Sequence, residues 1–182
     1  RIPVLSVISG AGLYGGGTEG GTTVSIVGDQ LGPIPPRNDK GDYSYRIEAN
    51  YGRWDVQANA WDTSVVPIFS STCVMVTAHT SLQCITSPGI GKNLSWAITV
   101  HAETAQTSLP NHAEGSYAPP SLYSIQSTKG RDVQQGVTSG GDKIIIDGKN
   151  FGPKGMTWNV PTLNYGKVVG VGATEERFNA KS

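Results

Sequence analysis

The chain has 182 residues, of which 14 are basic and 14 acidic, so its formal net charge is zero and only 15% of it is charged. A balanced surface of this kind supplies no summed field to attract nucleic acid or an anionic membrane, and no apolar run approaches the roughly 20 residues that a membrane-spanning helix needs. With 24 glycines and 11 prolines the composition is that of a turn-rich, extended, all-β chain, because helices draw on Ala, Leu, Glu and Lys.

In chain order, Pro3, Leu5 and Ile8 open a first extended segment. It has neither the charged start nor the long apolar run of a secretion signal, so any such signal is expected upstream or already removed. The glycine-rich stretch GAGLYGGGTEGG, residues 10–21, reads as a loop between the first two strands. It lacks the Gly-Lys-Ser/Thr ending of a phosphate cradle and leads into a strand, whereas such a cradle leads into a helix N-terminus. Val24 and Ile26 then share one side of a strand that ends at Gly28, and Asp29-Gln30-Leu31-Gly32-Pro33 turns the chain. A polar insertion at 33–46 groups Asn38, Asp39 and Asp42, which could offer oxygen ligands to calcium. Their spacing matches no full calcium loop and the bidentate Glu is missing, so a solvated turn is the better reading.

After Asn50-Tyr51-Gly52-Arg53, a second insertion at 54–70 carries Trp54 and Trp61. Flat indoles can stack on the apolar faces of sugars, or they can cover the edge of the fold or a neighbouring domain, where large aromatics find burial. Residues 73–77 and 80–84 can fold back on each other about Ala78-His79. Asn93-Leu94-Ser95, the one Asn-x-Ser/Thr sequon, falls beside the polar turn 89–92, ahead of a closing strand in which Trp96, Ile98 and Val100 face inward and Ala97, Thr99 and His101 outward. His79, His101 and His112 are placed at a hairpin tip, on an outward strand face and in a loop, and no pair of them has metal-ligand spacing. There is no CxxC and no Gly-x-Ser-x-Gly elbow, so the chain reads as non-catalytic, without metal or cofactor.

The chain also repeats itself. Gly20-Gly21-Thr22-Thr23-Val24-Ser25-Ile26-Val27-Gly28 returns as Gly140-Gly141-Asp142-Lys143-Ile144-Ile145-Ile146-Asp147-Gly148, and the Leu31-Gly32-Pro33 turn returns as Phe151-Gly152-Pro153. Pro3, Leu5 and Ile8 match Pro120, Leu122 and Ile125, and Asn50-Tyr51-Gly52-Arg53 matches Asn164-Tyr165-Gly166-Lys167. Residues 1–118 are expected to form one complete unit and 119–182 the first part of a second. The joint lies at Tyr117-Ala118-Pro119-Pro120, where consecutive prolines stiffen the chain. Short strands separated by turns within each unit favour a two-sheet antiparallel β-sandwich.

These residues resemble the IPT/TIG family of immunoglobulin-like β-sandwiches. The likeness rests on Pro-x-Leu-x-x-Ile, Gly-Gly-x-x-Val/Ile-x-Ile, the Gly-x-x-Leu/Phe-Gly turn, Tyr-Gly-Arg/Lys, Cys73…Cys84-x-x-Ser-Pro-Gly and Tyr117-x-Pro-Pro. It covers residues 3–120 with every motif and 120–167 with the first half of them. The hairpin about Ala78-His79 sets Cys73 opposite Cys84, within disulfide reach, and the resemblance implies the same bridge; two buried thiols in a reducing compartment are the alternative. A bridge and an N-glycan on Asn93 would together place the protein outside the cell. The resemblance and the repeat point to an extracellular, non-catalytic structural or adhesive rod whose partners are neighbouring repeats or further copies of the protein; a half sandwich at 119–182 would expose unpaired strand edges, from which assembly by strand-edge pairing is expected. The alternative is a carbohydrate-binding or receptor ectodomain module that uses Trp54 and Trp61.

Overall fold

In the computed structural model the described residues are 1–34, 45–64, 66–101, 104–128 and 139–155, together with the backbone of two short strands at 164–166 and 177–179; the side chains of 112–114 are not described. Among the described residues every regular element is a strand. They are β1 (Val4–Ser9), β2 (Tyr14–Gly16), β3 (Thr23–Asp29), β4 (Arg46–Gly52), β5 (Trp54–Asp55), β6 (Ala60–Trp61), β7 (Phe69–Thr77) and β8 (Ser81–Ile85), followed by β9 (Lys92–His101), β10 (Gln106–Thr107), β11 (Asn111–Tyr117), β12 (Ser121–Ser127), β13 (Ile144–Lys149), β14 (Asn164–Gly166) and β15 (Arg177–Asn179).

The main sheet has nine strands in the order β1-β3-β8-β7-β4-β9-β11-β2, with β10 paired to β9. β1 and β2 stand at opposite ends of that path although only residues 10–13 separate them in the chain, so the sheet must curl. Its ends meet where the Asn111 side-chain amide donates to the Leu5 carbonyl at 3.3 Å. β7 makes the corner: Phe69–Cys73 pairs with β4, while Cys73–Thr77 pairs with β8. Every pairing within the main sheet is antiparallel except that of β11 with β2.

Period-two patterning fills the curl. Val24 and Ile26 from β3, Leu82 and Cys84 from β8, Ile47, Ala49 and Tyr51 from β4, and Leu94, Trp96 and Ile98 from β9 are all buried. Each large aliphatic side chain removed from water in this way contributes roughly 1.5–3 kcal/mol. An aromatic cluster closes one end of the core: Trp96 stacks on Tyr51 with ring centroids 4.0 Å apart, and Phe69 lies between Tyr51 and Tyr117.

Five local expectations need correcting. The glycine-rich segment is not all loop, since Tyr14–Gly16 forms β2 along the edge of β11. Asn93 lies within β9 and not on the preceding turn. Nor is β9 the closing strand, because β10 and β11 both pair with it; His112 therefore lies in β11 and not in a loop. For the same reason Ala97 and Thr99 do not face solvent: they are 2% and 7% exposed. β9 has strands on both sides, and the Ser108 hydroxyl beyond β10 accepts from the Ile98 amide at 2.9 Å.

β12 and β13 form a separate two-stranded sheet. Its register, Leu122 to Gly148 and then Ser124 to Asp147 across a bulge, has the same form as Leu5 to Gly28 and then Val7 to Val27 in β1–β3. Glycine is required at the bulge in both places: a Cβ on Gly28 would sit 2.1 Å from the Val4 carbonyl oxygen, and one on Gly148 2.1 Å from that of Ser121.

Candidate functional site

The second insertion builds a small hairpin of its own. Trp54 and Trp61 face each other across β5–β6, edge to face, with centroids 5.1 Å apart and planes at 85°. Asp55 caps the turn by accepting from the amides of Gln57 and Ala58. Arg53 closes the base through its carbonyl, which accepts from the Asp62 amide, and through an ion pair to Asp62 at 3.8 Å. Both indoles are half-buried, Trp61 lies over Gly52, and Val56 at the tip is exposed. The arrangement is a rigid apolar knob, with one ring face already occupied by the edge of the other indole.

Cys73 and Cys84 are directly opposed in β7–β8 and joined by a disulfide, Cα to Cα 4.2 Å. The tip of that hairpin is held independently: His79 takes positive φ, and its amide and carbonyl bond to the Gly32 carbonyl and the Leu31 amide. Asn93 is exposed, with φ of 58°, while Leu94 and Ser95 after it are buried. Asn38, Asp39 and Asp42 lie outside the described residues. Among those described, no group of three His, Cys, Asp or Glu side chains could hold a metal ion.

Sequence reasoning missed two polar clusters. In the first, Glu48 is the hub on the outer face of β4: the Ser70 hydroxyl donates to one carboxylate oxygen, while His101 Nε2 lies 3.0 Å and Arg46 3.5 Å from the other. The Ser70 bond, then His101 and Arg46, hold this carboxyl below its usual range against the opposing effect of partial burial. The carboxylate sits between serine and histidine. A nucleophilic relay requires the histidine in that place, so the order is wrong for one. Only the cross-strand register brings these residues together, and no spacing in the sequence announces it.

The second is the buried tyrosine pair. Tyr117 donates to the Ser87 carbonyl at 2.6 Å, and the Ser87 amide donates to Tyr51 at 2.8 Å, which leaves Tyr51 to donate across the 2.9 Å between the hydroxyls. Burial, and then Tyr51, push the Tyr117 hydroxyl far above the usual tyrosine range. The recurrent Tyr-Gly and the single Ser87-Pro88-Gly89 were the available signal, and they read only as turns.

A cavity of about 500 Å³ opens beside β7, lined by Ile34, Tyr45, Ile47, Val74 and Met75, with Arg46 its one charged residue. Its walls are mostly apolar, and among the described residues no acid lines it. The β12–β13 hairpin is a further open apolar surface. Leu122, Tyr123, Ile125, Ile144 and Ile145 are exposed there, whereas Val24 and Ile26, at the places of Ile144 and Ile146, are fully buried. No helix among the described residues is long and apolar enough to cross a membrane. Comparisons with protein-family models, with curated proteins and with solved structures find no match.

Proposed function

We propose that the chain is a non-catalytic, extracellular structural or adhesive segment built from tandem immunoglobulin-like sandwiches of IPT/TIG type. In this reading residues 1–118 are one unit and 119–182 the first part of the next, and copies or neighbouring repeats assemble into a rod or fibril through strand edges. The carrying observation is that β12–β13 repeats the register, the bulge and the glycine of β1–β3, yet leaves exposed the face that β1–β3 buries. A face patterned for a core and left open is one that other strands are meant to cover. The strand order supports the sandwich, since a path that turns a corner at β7 and returns β2 beside β11 divides into two facing layers. A disulfide within one hairpin and an exposed sequon asparagine are compatible with an oxidising, glycosylating compartment.

Negative-stain electron microscopy of the native material tests this. Rods or beaded filaments are expected; isolated compact particles at every concentration would overturn it. The half-buried Trp54–Trp61 knob supports a second reading, a sugar-binding or receptor module. Binding on a glycan array that disappears in Trp54→Ala or Trp61→Ala would establish it.

A further inference from the structure

The β13 edge carries enough detail to name its partner. In β3 the amide of Gly28 reaches the Thr80 carbonyl on the β8 side, and in the residues just before it the Thr22 carbonyl accepts from Thr86. Even-numbered residues of β3 therefore point their backbone groups toward β8. In the second hairpin the Lys143 carbonyl accepts from the Thr128 amide, on the β12 side. Backbone direction alternates along a strand, so Ile144, Ile146 and Gly148 aim their N–H and C=O groups away from β12. Among the described residues no strand pairs with that edge.

Resting on the reading of the chain as a self-assembling segment, we propose that β13 pairs antiparallel with β13 of a second copy, across a twofold axis through Ile145. Three symmetric registers would bring the free backbone groups face to face along the middle of the strand, centred on Ile145, Ile146 or Asp147, and the last sets the two Asp147 carboxylates against each other. With the axis at Ile145, Ile144 meets Ile146 of the second copy as a hydrogen-bonded pair and the two Ile145 side chains meet across the axis. Lys143 then meets Asp147 of the second copy, twice. With the axis at Ile146, Lys143 meets Lys149 and Ile145 meets Asp147. Opposite charges across strands attract and like charges destabilise by comparable amounts, so charge selects the first register. Lys143, Ile144, Ile145 and Asp147 are all exposed; one Asp147 carboxylate oxygen accepts from the Ser124 hydroxyl at 2.8 Å, and the charge of the group still faces the strand edge. The contact is self-complementary and closes on two copies, extending each hairpin into a four-stranded sheet of order β12-β13-β13-β12.

The test uses the full 182-residue chain. A non-hydrogen-bonded antiparallel pair has its Cα atoms about 4.5 Å apart, within disulfide range. Ile145→Cys is therefore expected to give a covalent dimer on mild oxidation, with peptide mapping showing Cys73–Cys84 intact, and Ile146→Cys is not. In analytical ultracentrifugation Asp147→Lys should weaken the dimer about tenfold, and Lys143→Asp combined with Asp147→Lys should restore it. A chain that stays monomeric at all concentrations, preferential cross-linking at Ile146→Cys, or a charge reversal that restores nothing would overturn the proposal. Filaments in the microscope without an Ile145 cross-link would remove this contact and leave the structural-segment reading standing. A cross-linked dimer that never forms rods would do the reverse.

Discussion

Reduction of the Cys73–Cys84 bridge separates what the covalent link contributes from what the hairpin holds by itself. The bridge spans a sequence separation of 11, and closing a loop of that size removes about 2.8 kcal/mol of unfolded-chain entropy at 25 °C in the chain-entropy description. Both sulfurs lie in the core, Cys73 at 6% and Cys84 at 0% exposure, so replacing both by Ala adds roughly 1 kcal/mol of lost packing. Urea unfolding followed by circular dichroism should therefore rank three proteins: oxidised; reduced, about 3 kcal/mol weaker; and Cys73→Ala/Cys84→Ala, about 4 kcal/mol weaker. The reduced form should still fold. The hairpin tip keeps its backbone bonds to Leu31 and Gly32, and Leu82 remains buried under the sheet. Reduction that costs less than about 1 kcal/mol would refute the entropic reasoning, and loss of the β signal on reduction would refute the claim that register is held independently.

Tyr117→Phe leaves the Ser87 carbonyl and the Tyr51 hydroxyl without their partner, and should cost about 2 kcal/mol by chemical denaturation. Its effect should be non-additive with Tyr51→Phe, because one ring of bonds serves both. Gly89→Ala would place a Cβ 2.6 Å from a Phe69 ring carbon and 2.7 Å from the Tyr117 hydroxyl; a loss of about 1–3 kcal/mol is expected from overpacking in thermal melts. Glu48 has its folded carboxyl held low by Ser70 first, and then by His101 and Arg46. It therefore contributes stability at pH above its unfolded value and loses that contribution as pH falls through the folded one. Wild type should exceed Glu48→Gln at neutral pH, with the gap closing through the acid range; a gap that stays constant with pH would count against the assignment.

Much of the core was legible because alternation alone decides it. Val24 and Ile26, and Trp96 and Ile98, lie at period two between glycine turns, and strands with one buried face require that spacing. The pairing of Cys73 with Cys84 was legible for a related reason: a tight turn fixes the register of its flanking strands. What could not be read was anything that depends on which strands become neighbours. Ala97 and Thr99 look like outward residues, yet they are buried because β9 lies between β4 and two later strands. Glu48, Ser70 and His101 come from three segments brought together by the β4–β7 and β4–β9 registers. Trp54 and Trp61 were visible as two aromatics in one insertion, but their edge-to-face geometry depends on a two-residue strand pairing that carries no sequence mark.

The two hairpins divide local from non-local encoding within one chain. β1–β3 and β12–β13 share register, bulge and the glycine that admits it, so these features need only the residues of the hairpin. The isoleucines of β13 have at least the hydrophobicity of Val24 and Ile26, yet Ile144 is 42% exposed where Val24 is 0%. The difference is β8 and the rest of the curled sheet, which the first hairpin has and the second lacks among the described residues. Burial is thus a property of the assembly around a hairpin. In the proposed dimer the exposed Ile145 would meet its own copy, and the placement of Lys143 and Asp147 on either side of it would set the register.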